Sequence, residues 1–320
     1  SRVENRIFAG SSPHIRSKQT TSGIMLDVII ALTPAIIAAV YFFKLKAVFL
    51  ITVTILSCVL SEYIWMRLSK KPSTIGDLSA VVTGLLLAFN LSPLVPLWIA
   101  AIGGVFAIIV AKQFFGGLGH NFINPALAAR AFLMASWPVQ MTSWETPGVD
   151  SVSSATPLVL LKYGSDSAGQ LPSLFDLLIG NVGGCIGETS ALALLIGAAY
   201  LLIKRVITPE IPIAFIGTVG IMTWVLGGNG LFEGNFIYHI FAGGLILGAF
   251  FMATDYTTSP MTFRGKIIMG IGCGVITSVI RLYGGYPEGV SYSILLMNLA
   301  VPLIDRFFIP KSFGGVGNNA

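Results

Sequence analysis

The chain has 320 residues, of which 54% are hydrophobic and only 10% charged, and its mean hydropathy is +0.83. A soluble domain normally carries about a quarter of its residues as charged side chains, so this composition excludes a soluble globular protein. The formal net charge is +5, but the basic residues lie between apolar segments, as they do beside membrane spans. We therefore expect the lipid bilayer as a partner and no nucleic acid.

Ten apolar segments follow one another along the chain, and at roughly 20 residues per crossing the length allows about ten spans. We predict an all-α integral membrane fold of about ten transmembrane helices, several of them short or broken. The segments lie near 23–43, 47–66, 78–91, 96–115, 122–137, 187–203, 211–227, 236–252, 265–283 and 291–308.

The distribution of Lys and Arg predicts the orientation of these spans. With the N-terminus inside, 14 of the 19 basic residues face the cytoplasm, which is the bias expected of a membrane protein. Both termini are then cytoplasmic, and the longest connection lies outside. The predicted parts are an N-terminal tail (1–22), a first transmembrane half (23–137), an extracytoplasmic loop (138–186), a second transmembrane half (187–308) and a C-terminal tail (309–320).

A weak internal similarity relates the two halves. Residues 84–89 (GLLLAF) resemble residues 244–250 (GLILGAF), and each precedes a Ser-Pro pair. Because five spans lie in each half, such a repeat would be inverted, as in many transporters. Helices rich in Gly and Leu also resemble one another by chance, so the two explanations stay open.

The outer loop contains the run DSVSSATPL at 150–158. From its composition it is an ordinary Ser/Thr-rich loop. It is also similar to the flavinylation motif Asp-x-x-Ser-Gly-Ala-Thr of the D subunit of the Rnf complex and the B subunit of sodium-pumping NADH:quinone reductase. Asp150, Ser153, Ala155 and Thr156 match this motif, and Ser154 stands where the family usually has Gly. The resemblance implies that Thr156 carries FMN through a phosphoester bond.

Further matches to this family run in order along nearly the whole chain: SPHIR at 12–16, AKQFFGGLGHNFINPALAARAFL at 111–133, GETS at 187–190 and FMATD at 251–255. The resemblance implies a redox subunit of an Rnf-type ferredoxin:NAD+ oxidoreductase complex in the bacterial cytoplasmic membrane. Such a subunit carries electrons through covalent FMN and contributes to translocation of Na+ or H+. NAD and ferredoxin are expected on other subunits, because the glycines at 116–119 follow no strand and form no dinucleotide fingerprint.

Two other functions are compatible with the apolar segments alone. A passive channel or solute transporter with inverted repeats needs broken helices and no flavin. A structural membrane scaffold needs neither. In both cases Thr156 has no redox role.

The asparagines of the segment NFINP match those near which the family is thought to hold a second, noncovalent flavin, riboflavin or FMN. Asn121 and Asn124 offer amide donors and acceptors for its pyrimidine edge. Asn124 before Pro125 is also a good helix cap. The two roles do not exclude each other.

Acidic residues at membrane depth are costly and therefore functional candidates. Asp27, Asp77, Glu188 and Asp255 are candidates for a cation path, although each lies near a predicted helix end, where capping is the alternative. Glu188 is the best placed, because it follows the glycine-interrupted segment 180–187, whose carbonyls would join a carboxylate around a cation such as Na+.

Three further residue types have simpler expectations. Arg130 lies inside a predicted span and must find a partner that the sequence does not identify. His120 and His239 are expected to be satisfied imidazoles near helix ends, with no haem pair. The isolated cysteines are expected to be buried structural thiols: Cys58, Cys185 and Cys273.

Overall fold

A computed structural model describes residues 20–145, 156–163, 171–228, 230–286 and 288–308, and the regular elements of these residues are helices. Four helical stretches are long and apolar enough to cross a membrane: Thr21–Leu68, Leu97–Phe115, Phe263–Tyr283 and Val290–Phe307. Four shorter apolar helices accompany them: Ser79–Phe89, Pro125–Ser136, Ala191–Ile203 and Glu210–Leu226. The chain is a multi-pass helical membrane protein, while the number of ten spans, their orientation and the part boundaries stay predictions.

The helices follow the predicted apolar segments in order. They are α1 (Thr21–Leu68), α2 (Ser79–Phe89), α3 (Leu97–Val105), α4 (Pro125–Ser136), α5 (Pro138–Met141), α6 (Pro157–Tyr163), α7 (Leu174–Ile179), α8 (Ala191–Ile203), α9 (Glu210–Leu226), α10 (Phe236–Phe241), α11 (Leu245–Leu247), α12 (Phe263–Tyr283) and α13 (Val290–Phe307).

The first two predicted segments meet at a backbone break inside α1. Lys44 has φ 50° and ψ −132°, which interrupts the helical geometry between them. The side chain of Lys46 then pairs with Glu145 at 2.8 Å. A single residue in a rare conformation thus takes the place of a connecting loop.

The predicted segment 236–252 forms a broken helix. It consists of α10, α11 and a π-helical turn at Gly248–Met252, in which Ala253 N donates to Gly248 O at 2.7 Å. A second π-helical turn, Phe106–Val110, follows α3. The two segments with similar sequence therefore differ in helix type, since 84–89 lies within the regular α2. The inverted repeat stays a prediction.

Small residues allow the helices to approach closely, as is usual in membranes. Helix α1 packs against α2, α3 and α8, and α12 packs against α9 and α13. A Cβ atom added at Gly197 of α8 would lie 1.9 Å from the carbonyl oxygen of Ala31 in α1. A Cβ atom at Gly84 of α2 would lie 2.8 Å from the Cα of Ile55. Glycine at these positions sets the spacing of the helices around α1.

We predict that Gly197→Ala lowers the free energy of unfolding by about 1–3 kcal/mol, because the added methyl group overlaps the backbone of α1. Thermal unfolding in detergent measures the change. Gly217→Ala in α9 is the matched control, since nothing lies within 4 Å of its added Cβ. Equal midpoints for the two variants would contradict the close approach.

Candidate functional site

Thr156 lies at the start of α6, and its environment is a small cavity. The residue is 8% exposed, and its hydroxyl oxygen accepts a hydrogen bond from Val159 N at 3.4 Å. The cavity encloses about 410 Å³ including its open mouth, and Glu188 and Glu288 also line it. The other residues of the predicted motif lie outside the described residues: Asp150, Ser153, Ser154 and Ala155.

The partner that the sequence left open for Arg130 is Glu288. The guanidinium of Arg130 donates from Nη2 to Glu288 Oε2, and from Nη1 to Asn90 Oδ1 at 2.6 Å. Both charged side chains are largely buried, with 6% and 16% of their surface exposed. The contact joins α4 to the start of α13, and Asn90 adds the end of α2. Buried charges in a membrane protein need such partners.

Glu188 lies in the same cluster. Its Oε1 accepts a hydrogen bond from Cys185 N at 2.9 Å, while its buried Oε2 has no hydrogen-bond partner among the described residues. One ligand atom from each of Cys185, Glu188 and Glu288 falls within 4.8 Å of the others. Two carboxylates therefore lie beside one thiol and one guanidinium, and one carboxylate oxygen is unsatisfied.

The glycine-interrupted segment that precedes Glu188 is held by backbone hydrogen bonds. Helix α7 ends at Gly180, which has φ 112°. Ile186 N then donates to Leu91 O at 3.0 Å, and Gly187 N donates to Phe89 O at 3.1 Å. A Cβ atom at Gly187 would lie 2.1 Å from the Cγ of Phe89. Protein thus covers this irregular backbone, as membrane depth requires.

A second cavity contains the predicted asparagine Asn121. It encloses about 720 Å³ including its mouth, and Lys112, Thr257 and Asp255 also line it. Asn121 Nδ2 donates to Thr257 Oγ1 at 3.0 Å, whereas its buried Oδ1 has no partner in the described part of the chain.

Asn124 caps α4. Its Oδ1 accepts from Ala126 N at 3.0 Å and from Leu127 N at 3.3 Å, and Pro125 occupies the first helical position. Its Nδ2 donates to Met252 O at 3.4 Å. The capping role predicted for Asn124 is confirmed, and its flavin contact stays a prediction.

The other three acidic candidates lie in separate environments. Asp27 accepts from Tyr200 Oη at 2.7 Å and lies 3.8 Å from Lys204 Nζ. Asp77 accepts from Ser79 N at 2.7 Å, at the start of α2. Asp255 Oδ2 accepts from Thr257 Oγ1 at 2.9 Å, beside the Asn121 cavity. Within the described part of the chain, Glu188 is grouped with a thiol and a second carboxylate, and the role of the other three candidates in a cation path stays a prediction.

A buried ion pair that sequence reasoning missed joins α1 to the region after α3. Lys112 Nζ lies 3.1 Å from Glu62 Oε1, with 2% and 0% of the two side chains exposed. Gln113 Nε2 donates to the same oxygen at 3.0 Å, and Lys112 donates to Ser79 Oγ at 2.6 Å. Lys112, which counts among the basic residues predicted to lie on the cytoplasmic side, is therefore buried. The signal that could have identified Glu62 is an acid within the apolar run 47–66.

Helices α6 and α7, which belong to the predicted outer loop, each carry one side chain whose pKa is shifted. Partial burial lowers the pKa of the Lys162 ammonium, which donates to Gly284 O. The hydrogen bond from Ser173 lowers the pKa of Asp176 at the start of α7. Lys162 thus ties α6 to the end of α12.

The three cysteines are buried and unbridged, as predicted: Cys58, Cys185 and Cys273. The expectation for His239 is wrong in one respect. Its Nδ1 is buried and has no hydrogen-bond partner among the described residues.

Residues 8–314 match the model of the NQR2, RnfD, RnfE family. The chain belongs to this family. It is 54% identical over 314 residues to the D subunit of the Na(+)-translocating ferredoxin:NAD(+) oxidoreductase complex of Acetobacterium woodii, covering 97% of this chain and 96% of that protein. It is 48% identical to the D subunit of the proton-translocating ferredoxin:NAD(+) oxidoreductase complex of Clostridium ljungdahlii, covering 98% of both. It is 34% identical to the D subunit of the ion-translocating oxidoreductase complex of Citrobacter koseri, covering 95% of this chain and 98% of that one.

These matches confirm the resemblance inferred from the motifs at 111–133, 187–190 and 251–255. The names of the relatives agree with an oxidoreductase subunit, and two of them differ in the cation that they name.

We predict that Glu288→Gln lowers the free energy of unfolding by about 3–5 kcal/mol, because it leaves the Arg130 charge buried without its partner. The double variant Arg130→Met with Glu288→Met removes both charges and should lose less. Thermal unfolding of the detergent-solubilised protein measures both. Glu145→Gln is the control, since its partner Lys46 is exposed and such surface pairs contribute about 0–1 kcal/mol.

A result in which the double variant is less stable than Glu288→Gln would contradict the charge argument. Packing of the two side chains would then be the dominant contribution of this contact.

Proposed function

We propose that this chain is the membrane redox subunit of an Rnf-type ferredoxin:NAD+ oxidoreductase complex in the bacterial cytoplasmic membrane. It carries FMN on Thr156 and couples electron transfer to translocation of a cation, Na+ or H+. The other membrane and peripheral subunits of such a complex are its partners, and they bind NAD and ferredoxin. Family membership and the names of the relatives support this proposal.

One observation carries the coupling part of the proposal. The residue proposed to hold the flavin and the two buried carboxylates of Glu188 and Glu288 line the same cavity. A change in charge at Thr156 therefore changes the electrostatic potential at these carboxylates, because the protein between them has a low dielectric constant. Only such differential stabilisation of two states can link a redox step to ion binding.

The hydroxyl group of Thr156 is available for a phosphoester bond. The only hydrogen bond of its hydroxyl within the described residues is the long one from Val159 N. Gly183, Gly184 and Gly243 line the cavity without side chains. When bound, FMN supplies one- and two-electron redox chemistry. The protein holds it on a short helix, so the carrier stays within the complex between electron transfers.

Glu188 is the proposed cation ligand, with Glu288 as its neighbour. Hard cations bind to carboxylate oxygens, and so do protons. The Oε2 of Glu188 is such an oxygen and has no hydrogen-bond partner among the described residues. Arg130 holds Glu288 in place and limits the negative charge of the pair. One monovalent cation at Glu188 then satisfies the remaining oxygen. Asp27, Asp77 and Asp255 are proposed as secondary positions on the path.

The cavity at Asn121 is the proposed place of a second, noncovalent flavin, riboflavin or FMN. The unpartnered Oδ1 of Asn121 is an acceptor for a ring N–H group.

We predict that Thr156→Ala abolishes covalent flavin fluorescence of the denatured protein on a gel, because no hydroxyl remains to form the phosphoester. Flavin released on denaturation, which the Asn121 cavity would supply, should remain. Thr142→Ala, which removes the hydroxyl of an exposed threonine in the same predicted loop, is the control. A fluorescent band in Thr156→Ala, or no band in the unaltered protein from its native host, would refute the attachment. The second outcome would favour a transporter or scaffold.

Sodium dependence tests the cation site. In reconstituted vesicles of the complex, Glu188→Gln should raise the Na+ concentration needed for half-maximal electron transfer by about tenfold or more, because it removes a charged ligand. Asp255→Asn tests the secondary position in the same way. Glu145→Gln, whose carboxylate pairs with exposed Lys46, should match the unaltered complex. In a proton-coupled complex, the corresponding measurement is the proton flux per electron.

Unchanged ion dependence in both Glu188→Gln and Asp255→Asn would remove these carboxylates from the path. The flavin attachment would be unaffected by that result.

A further inference from the structure

An apolar groove runs between α9 and α12 on the outside of the helices. It encloses about 940 Å³ including its open side, and most of its lining side chains are apolar. Ile213 and Ile221 of α9 are 69% and 63% exposed, and Ile271 of α12 is 45% exposed. These side chains therefore stand open to a hydrocarbon ligand from the bilayer.

Small residues keep this groove open. A Cβ atom added at Gly217, which lines the groove, would meet nothing within 4 Å. The two helices themselves are in contact, because a Cβ atom at Gly274 of α12 would lie 2.5 Å from the Cβ of Thr218, and one at Gly270 would lie 2.6 Å from the Cβ of Ala214. The helices thus touch at the floor of the groove, and the space above Gly217 stays free.

The groove has the length of one leaflet of a bilayer. Its α9 wall runs from Glu210 to Ile221, which is about 17 Å at the rise of an α-helix. The hydrocarbon core of a bilayer is about 30 Å thick, so the groove crosses about half of it. The acyl chain of a phospholipid lies within one leaflet, whereas a spanning helix of a partner subunit that packs along its length crosses both.

Basic side chains gather at one end of the groove, where α9 and α12 begin. Lys266 Nζ donates to Thr208 Oγ1 at 2.9 Å, which joins the two helix starts. Segments 204–210 and 263–266 together carry four basic residues and one acidic residue, Glu210. The four basic residues are Lys204, Arg205, Arg264 and Lys266. Lys and Arg clusters beside transmembrane helices attract anionic phospholipids, and the distribution of charge predicts that this end faces the cytoplasm.

We propose that this groove is a binding site for an anionic phospholipid. One acyl chain lies between α9 and α12, and the phosphate group lies beside Lys266 and Arg264. The apolar lining, the length of one leaflet and the basic end all match this class of ligand. The site is separate from the flavin and cation sites proposed above and does not depend on them.

Lipid binding to the purified complex tests the proposal. The complex is depleted of lipid in detergent and titrated with phosphatidylglycerol, and native mass spectrometry counts bound lipids and subunits in the same spectra. Gly217→Leu fills the free space of the groove without a clash inside the chain. It should weaken the tightest lipid binding by about tenfold or more, because it displaces several methylene groups of the acyl chain. Val279→Leu is its control, an exposed position of α12 that does not line the groove.

The basic end is tested with a second variant. Arg264→Gln combined with Lys266→Gln should weaken phosphatidylglycerol binding by about fivefold for each basic residue removed. Phosphatidylcholine, whose head group has no net charge, should lose less. Lys70→Gln combined with Lys71→Gln is the matched control, because it removes the same charge from two exposed residues on the same predicted side that do not line the groove.

Unchanged phosphatidylglycerol affinity in both Gly217→Leu and the Arg264/Lys266 variant would overturn the proposal. Loss of a subunit from Gly217→Leu with unchanged lipid binding would also overturn it, since a protein helix would then occupy the groove. An equal loss of affinity in the Lys70/Lys71 control would show that only the general positive charge of this side attracts the lipid. Absence of covalent flavin from the same complex would refute the proposed function and leave the lipid result unaffected.

Discussion

The ion pair between Arg130 and Glu288 is the contact around which the rest of this structure is arranged. Two charges lie in a largely apolar interior, where each alone would be strongly destabilising. Their pairing fixes α4 against the start of α13, and the hydrogen bond from Arg130 to Asn90 adds the end of α2. Three segments that are far apart in sequence therefore meet at one point.

The pair also affects the hydrogen bonding of the neighbouring residue Glu188. Because Arg130 is occupied by Glu288 and Asn90, the adjacent carboxylate of Glu188 keeps one oxygen without a partner among the described residues. Thr156 lies on the wall of the same small cavity. The proposed attachment residue of the electron carrier and the proposed ion ligand thereby line one small cavity, so their coupling needs no long pathway through the protein.

Hydropathy predicted most of the helices. In lipid the backbone polar groups must be hydrogen-bonded within the protein, and long apolar segments achieve this as helices. The segment boundaries at 79–89 and 191–203 agree with the sequence to within a few residues. The break at Lys44 and the π-helical turns did not follow, since local backbone geometry depends on neighbouring helices. The cap at Asn124 was predictable from Pro125, because capping is a local interaction.

The site was only partly predictable for the same reason. Glu188 was identified from the glycines before it, whereas Glu288 lies beside a helix start at Gly289, where an acid looks like an ordinary interfacial residue. Its pairing with Arg130 spans 158 positions of sequence, a distance over which one sequence gives no pairing information. The unpartnered Nδ1 of His239 likewise appears only when the helices are assembled.

The π-helical turn at Gly248–Met252 contacts two parts of the site, the Arg130 cluster and the cap of α4. Asn90, which holds Arg130, also donates to Met252 Sδ at 3.6 Å, and Asn124 donates to Met252 O at 3.4 Å. A wide turn of this kind holds one more residue than an α-helical turn. Asp255 follows this turn by three residues, outside the helix. One short stretch of backbone therefore connects the Arg130 cluster, the cap of α4 and the wall of the Asn121 cavity.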